Sequence, residues 1–186
     1  PVPAASAAVV GKSGVLADYG DTTRAYRLAS VTKPLVARAA QIAVEEGVID
    51  LDSPAGPPGA TIRHLLSHAS GLSMHSAETM AEPGSRRVYS NYGFGVLAQT
   101  IESNSGIEFG RYLSEAIFEP LGMTASRLDG GAAAAGFGVV STVADLTVFA
   151  ADLLEPRTVS ARMHAEATSV QFPGLTGVLP GFGVQR

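Results

Sequence analysis

The stretch Tyr26-Arg27-Leu28-Ala29-Ser30-Val31-Thr32-Lys33-Pro34-Leu35-Val36 decides how this chain is read. Tyr26 to Ala29 reads as extended chain. Beyond Pro34, the residues Leu35, Val36, Ala39, Ala40, Ile42 and Ala43 recur at the spacing of a buried helix. Ser30 and Lys33 therefore fall at the mouth of that helix. A helical turn takes about 3.6 residues, so side chains three apart share a face, and an amine comes within reach of a hydroxyl. A serine needs such a base to become a nucleophile. The chain has two lysines against eleven arginines. A guanidinium keeps its proton, whereas a lysine amine can release one when its pKa is depressed. The competing reading is an N-capping serine beside a solvated lysine, and the pair alone does not exclude it.

Working outward, Ser6–Val10 and Val15–Tyr19 are short apolar runs joined by Gly11-Lys12-Ser13-Gly14, which predicts a β-hairpin. Thr23–Leu28 is a third extended stretch. The helix that starts after Ser30 is expected to run from Val31 to Glu46 and to close at Gly47. Prolines 54, 57 and 58 make the next stretch a loop, and Thr61 reads as the N-cap of a short helix through His68. Further helices are expected over Tyr92–Ser103, Phe109–Phe118, a segment capped by Ser141 or Thr142 and ending at Leu154, and Ser160–Ala167. The small-residue stretch Gly130–Gly138 and the glycine-rich 172–183 read as loops. Strand signals thus cluster at the beginning. Two or three strands do not make a comfortable isolated sheet, so part of the sheet is expected to be absent.

Composition limits the alternatives. With 186 residues, 46% apolar and 16% charged, the chain reads as well-buried globular protein. Net charge is −4 and the sequence pI is near 5.5, with scattered arginines and no basic stripe for nucleic acid. There is no cysteine, hence no thiolate chemistry and no cysteine-based metal site. No apolar run approaches the ~20 residues of a membrane span. Pro1-Val2-Pro3 lacks the pattern of a signal peptide, which tilts the expectation toward the cytoplasm, while a start without Met leaves export open.

Tyr89-Ser90-Asn91 is a second candidate motif, in a polar loop just before a helix. A tyrosine hydroxyl can relay a proton, and an asparagine amide offers both a donor and an acceptor to a substrate amide. An ordinary helix start, with Ser90 or Asn91 capping and Tyr89 packed beside it, fits the same residues.

The two motifs together resemble the serine β-lactamase and penicillin-binding-protein superfamily, most closely the class C-like branch that includes D-alanyl-D-alanine peptidases and esterases. Thr61-Ile62-Arg63-His64-Leu65-Leu66-Ser67-His68-Ala69-Ser70-Gly71-Leu72 is similar to that branch's "TIRHLLTHTSGL" signature. Glu119-Pro120-Leu121-Gly122-Met123-Thr124 is similar to its "EPLGM", and Val140-Ser141-Thr142-Val143-Ala144-Asp145-Leu146 to its "STADDL". The resemblance implies an α+β, β-lactamase/transpeptidase-like fold: one incomplete domain over residues 1–186, with N-terminal strands in 1–29 and a mainly helical region from 30 onward. It implies a serine hydrolase working through an acyl-enzyme on a β-lactam, a D-alanyl peptide or a small ester. Ser30 would be the nucleophile, Lys33 its proton acceptor or the electrostatic partner that lowers a proton acceptor's pKa, Tyr89 the general base or relay to the leaving group, and Asn91 the substrate's hydrogen-bond partner. No cofactor or metal is implied.

One departure bears on activity. The family carries a third motif, Lys- or His-Thr/Ser-Gly, on a later strand, and residues 92–186 contain none. In the family that strand flanks the second oxyanion donor, so the 186-residue chain is expected to turn over poorly unless a further segment or a second chain completes it. Otherwise it would serve as a non-catalytic ligand-binding or interaction module. Four other features read as structural. Gly11-Lys12-Ser13 looks like the end of a phosphate loop, but Ser6 stands where that loop needs glycine. His64 and His68, four apart, could share a metal, yet Leu65 occupies the place of the zincin glutamate. Asp50 and Asp52 fit loop capping better than a cation site. His75 and His164 have no supporting partner in the sequence.

Overall fold

The computed structural model describes residues 4–175. The hairpin forms as the sequence predicts. β1 (Ala7–Gly11) pairs antiparallel with β2 (Gly14–Tyr19) across the two-residue turn Lys12-Ser13, which disposes of the phosphate-loop likeness. β3 (Ala25–Arg27) leads through a single 3₁₀ turn, Ala29–Val31, into α1 (Thr32–Glu45). Gly47, at φ +75°, closes α1 by donating its N–H to the Val44 carbonyl. α2 is one short helix, Ile62–Leu66, with Thr61 and His64 forming a reciprocal capping box. It ends two residues earlier than expected, and His68 adopts a left-handed φ of 55°.

Beyond the polar loop lies α3 (Asn91–Ser105), capped by the Ser90 hydroxyl and closed by Gly106 at φ +72°. The expected helix Phe109–Phe118 is three pieces in series: α4 (Phe109–Leu113), a π-helical turn (Ser114–Phe118) and α5 (Glu119–Leu121). Pro120 sits in the first turn of α5, where a missing N–H is tolerated, so it continues the helix and Gly122 ends it. Two strands appear that the sequence does not announce. β4 (Arg127–Leu128) and β5 (Val139–Thr142) form with β3 an antiparallel sheet in the order β3-β5-β4. β5 has all four residues buried, so it shows no apolar/polar alternation, and β4 is only two residues long. A 3₁₀ turn, Ala132–Ala134, punctuates the loop between them. Thr142 ends β5 and caps α6 (Val143–Leu154), and α7 (Ala161–Thr168), capped by Ser160, follows. The loop expected over 172–183 lies outside the described residues from 176 onward.

The core forms where α1 lays Leu35, Val36, Ala39, Ala40 and Ala43 against α3 (Phe94, Leu97, Ala98, Ile101) and the α4 segment (Phe109, Leu113, Ile117). Small residues on α1 let its neighbours approach, and the whole start of α1 is held from one side by β5. Leu28 donates its N–H to the Val139 carbonyl at 2.9 Å, and Val139 returns its N–H to Thr32 Oγ1 at 3.0 Å. Those two bonds bracket the turn that carries Ser30. No helix among the described residues is long and apolar enough to cross a membrane.

Candidate active site

Ser30 is the middle residue of the 3₁₀ turn and is exposed; Lys33, one turn on, is buried and only 6% exposed. α1 starts after Val31 without any side-chain cap, so the Ser30 hydroxyl is not spent on capping. The residue before it, Ala29, has φ 47°, a left-handed conformation that costs a non-glycine residue energy and that the flanking bonds from Val139 and Thr32 sustain. The strain aims Ser30 outward at the top of the buried helix.

Lys33 gathers three segments. Its Nζ donates to Asn91 Oδ1 at 2.6 Å and to the Gly136 carbonyl at 2.7 Å, and it lies 3.4 Å from Ser30 Oγ. It also sits 4.4 Å from the centroid of the Tyr89 ring and 5.6 Å from that of Phe94. A neutral amine has two N–H donors and one lone pair. The two short bonds consume the donors, and the remaining position faces Ser30. Burial lowers the Lys33 pKa below the usual lysine value, and the Tyr89 phenol opposes that shift in part. The arrangement can therefore present a lone pair to the serine hydroxyl, which is the geometry of a nucleophile beside its base.

All four residues singled out in the sequence come together here. Asn91 enters the site through its carbonyl oxygen, which is bound by Lys33, an engagement the sequence does not suggest. Three contributors were missed. Gly136 supplies only a backbone carbonyl, which no side-chain motif reveals. Thr32 lies inside the quoted stretch, and its hydroxyl ties α1 to β5. His68 accepts the Ser90 N–H at Nδ1 (3.2 Å) and stacks on Tyr89 with ring centroids 4.4 Å apart.

His64, Asp50 and Asp52 are engaged elsewhere. His64 Nδ1 serves the capping box with Thr61, and its ring lies 4.3 Å from that of Phe172. Asp50 accepts the Asp52 N–H across the turn, and Asp52 pairs with Arg63 at 2.9 Å. No group of three or more metal-ligating side chains occurs among the described residues.

A sequence model of the Beta-lactamase family matches residues 2–185. The chain belongs to the beta-lactamase family. It is 29% identical over 140 residues to a penicillin-binding protein of Bacillus subtilis, a match covering 58% of this chain and 31% of that one. It is 26% identical over 160 residues to the D-alanyl-D-alanine-carboxypeptidase/endopeptidase AmpH of Escherichia coli, covering 61% of this chain and 42% of that protein. The matches thus span less than half the length of these curated relatives. Among solved structures, a beta-lactamase from Mycobacterium bovis superposes with a TM-score of 0.98 at 72% identity, covering 100% of this chain and 68% of that one. An octameric penicillin-binding protein homologue from Pyrococcus abyssi, at 22% identity and TM-score 0.74 over 90% of this chain and 56% of that one, shares the fold. The α+β, β-lactamase/transpeptidase-like architecture expected from the sequence is the one observed.

Proposed function

We propose that this chain carries the nucleophilic half of a serine hydrolase that cleaves an ester or amide through an acyl-enzyme. The substrate classes in view are a β-lactam, a D-alanyl peptide or a small ester. The observation that carries the proposal is the buried Lys33 amine, with two carbonyl acceptors taking its donors and its third position turned to the exposed Ser30 hydroxyl.

In the first step Ser30 Oγ bonds to the substrate carbonyl carbon and its proton passes to Lys33 Nζ. The carbonyl becomes an oxyanion, for which the Ser30 backbone N–H is a donor. As the carbonyl re-forms, the bond to the leaving oxygen or nitrogen breaks. That atom takes a proton relayed from Lys33 through the Tyr89 phenol. The acyl group is left as an ester on Ser30. Water then attacks the acyl carbon and passes a proton through the Tyr89 phenol to Lys33; the bond from that carbon to Ser30 Oγ breaks, Oγ takes the proton from Lys33, and the acid is released. The 3.4 Å separation of Nζ and Oγ is longer than a working hydrogen bond, as is common before substrate binds. In this reading the Asn91 amide nitrogen donates to a substrate carbonyl while its oxygen stays bound to Lys33.

The test is covalent labelling with a fluorescent penicillin and with a fluorophosphonate, on the 186-residue chain and on any longer protein that contains it. Label that maps to Ser30 and disappears in Ser30→Ala supports the proposal. A longer protein that takes neither label would sink it and leave a binding module built on the same fold.

A further inference from the structure

The sequence gives His68 only a structural reading, and the mechanism above makes no use of it. Its surroundings give it a definite task. The ring is largely enclosed, lying 4.4 Å from Tyr89 and 5.3 Å from Phe94 between centroids. Its backbone carbonyl accepts the Val88 N–H at 2.8 Å, and its ring Nδ1 accepts the Ser90 N–H at 3.2 Å. One residue therefore grips the chain immediately before and immediately after Tyr89 and lies against the phenol ring between those points. A backbone N–H can only donate, so Nδ1 must be unprotonated and the ring proton resides on Nε2. The left-handed φ of 55° at His68 is what turns both its carbonyl and its ring toward the 88–90 segment.

We propose that His68 is the positioning residue for Tyr89, clamping residues 88 and 90 and stacking on the phenol so that the ring stays over the Lys33 amine. This rests on the proton-relay role given to Tyr89 above. A loosened phenol would still leave a folded enzyme with Ser30 and Lys33 in place, since those are held by α1, Asn91 and Gly136. The loss would fall first on the relay, since Asn91 is held separately by its N–H bond to the Met74 carbonyl.

A double-mutant cycle separates this from a general structural role. Rate constants for acylation by a fluorescent penicillin are measured for the native chain, Tyr89→Phe, His68→Leu and the double variant. Removing a general acid-base group costs about 10²-fold or more, so Tyr89→Phe is expected to slow acylation by that order. His68→Leu is expected to cost about 10-fold when Tyr89 is present and less than about 3-fold when it is Phe, because interacting sites are not additive. The same loss in both backgrounds would show that His68 acts on the whole fold and would overturn the proposal. His68→Asn keeps an acceptor close to the Nδ1 position and tolerates φ near 55°. It is expected to acylate faster than the leucine variant, and it carries the cycle by itself if the leucine variant does not fold. An asparagine variant with equal losses in both backgrounds overturns the proposal as well. If Tyr89→Phe acylates at the native rate, or if neither this chain nor a longer protein that contains it is acylated, the relay reading fails first and this one falls with it.

Discussion

Lowering the pH should weaken this fold through His68 in a way that can be isolated and sized. Burial, with Lys33 and Arg87 nearby, pushes the His68 pKa down from 6.5 to about 4. The groups facing it are the Tyr89 and Phe94 rings and the Ser90 N–H, and none of them accepts a proton from an imidazolium. The unfolded chain therefore binds a proton at this residue that the folded chain refuses. Folding stability at this site is complete above the unfolded value and declines as pH falls from about 6.5 toward about 4. At about pH 5, with unfolded and folded values of about 6.5 and 4, the linkage relation gives a loss of about 2 kcal/mol, against almost none at about pH 7.5. For a chain of this size that is a fall in Tm of about 4–8 °C. Other groups titrate in the same window, so the measurement is a difference. Urea or thermal denaturation is run on the native chain and on His68→Asn at both pH values, and the stability gap between them is compared. The native chain should lose about 2 kcal/mol relative to the variant on going from about pH 7.5 to about pH 5. A gap that does not change with pH would mean that His68 is solvated or already charged in the folded state. The neutral clamp described above would then be wrong.

Two substitutions probe the supports of the site and the core. At Gly136 an added Cβ would lie 3.0 Å from Asn91 Cα and 3.1 Å from its Oδ1, so the start of α3 must yield by a few tenths of an ångström. Gly136→Ala should keep the fold at a cost of about 1–3 kcal/mol. It should slow labelling of Ser30 by roughly 10–100-fold, because small displacements of positioning groups are costly in rate; native-rate labelling in a folded variant would contradict the Lys33 geometry. Asp152 is fully buried, lies 3.4 Å from Arg38 Nε, and accepts from the Arg157 and Thr158 N–H groups and the Thr158 hydroxyl. Asp152→Ala strands the Arg38 guanidinium, itself 2% exposed, and should cost about 3–5 kcal/mol by denaturation, with a loss below about 1 kcal/mol refuting the pairing.

What the sequence displays clearly is whatever its local rules determine. The hairpin, α1 with its glycine close, the Thr61 and Ser90 caps and the Thr142 cap of α6 depend on residues within a few positions, and each is found within a residue or two of its expected place. The missed features depend on distant partners. β5 is buried on every residue and runs straight into the cap of α6, so its only strand signal is Val139-Val140. The π-helical turn at Ser114–Phe118 has no composition of its own and shows itself only in which carbonyls the backbone selects. Gly136 is invisible for a different reason: what it supplies to Lys33 is a carbonyl that every residue possesses, and only the closeness of Asn91 requires the absence of a side chain.

The two motifs carried rival bland readings, and the structure treats them differently. For Ser30 the capping reading fails outright, since α1 has no side-chain cap and the serine lies on a separate turn with its hydroxyl near Lys33. For Tyr89-Ser90-Asn91 the ordinary reading is also true. The Ser90 hydroxyl caps α3 at the Gly93 N–H and donates to the Ser73 carbonyl, and Ser90 is 1% exposed. That cap is what puts Tyr89 on one side of the helix start and Asn91 on the other, both reaching Lys33. A helix start and the candidate site are thus the same few atoms seen at two levels. The middle residue of the motif holds its neighbours still, and under the proposed function it has its own signature: Ser90→Ala should lower stability by about 1 kcal/mol, the usual worth of a cap, while slowing acylation of Ser30 as well.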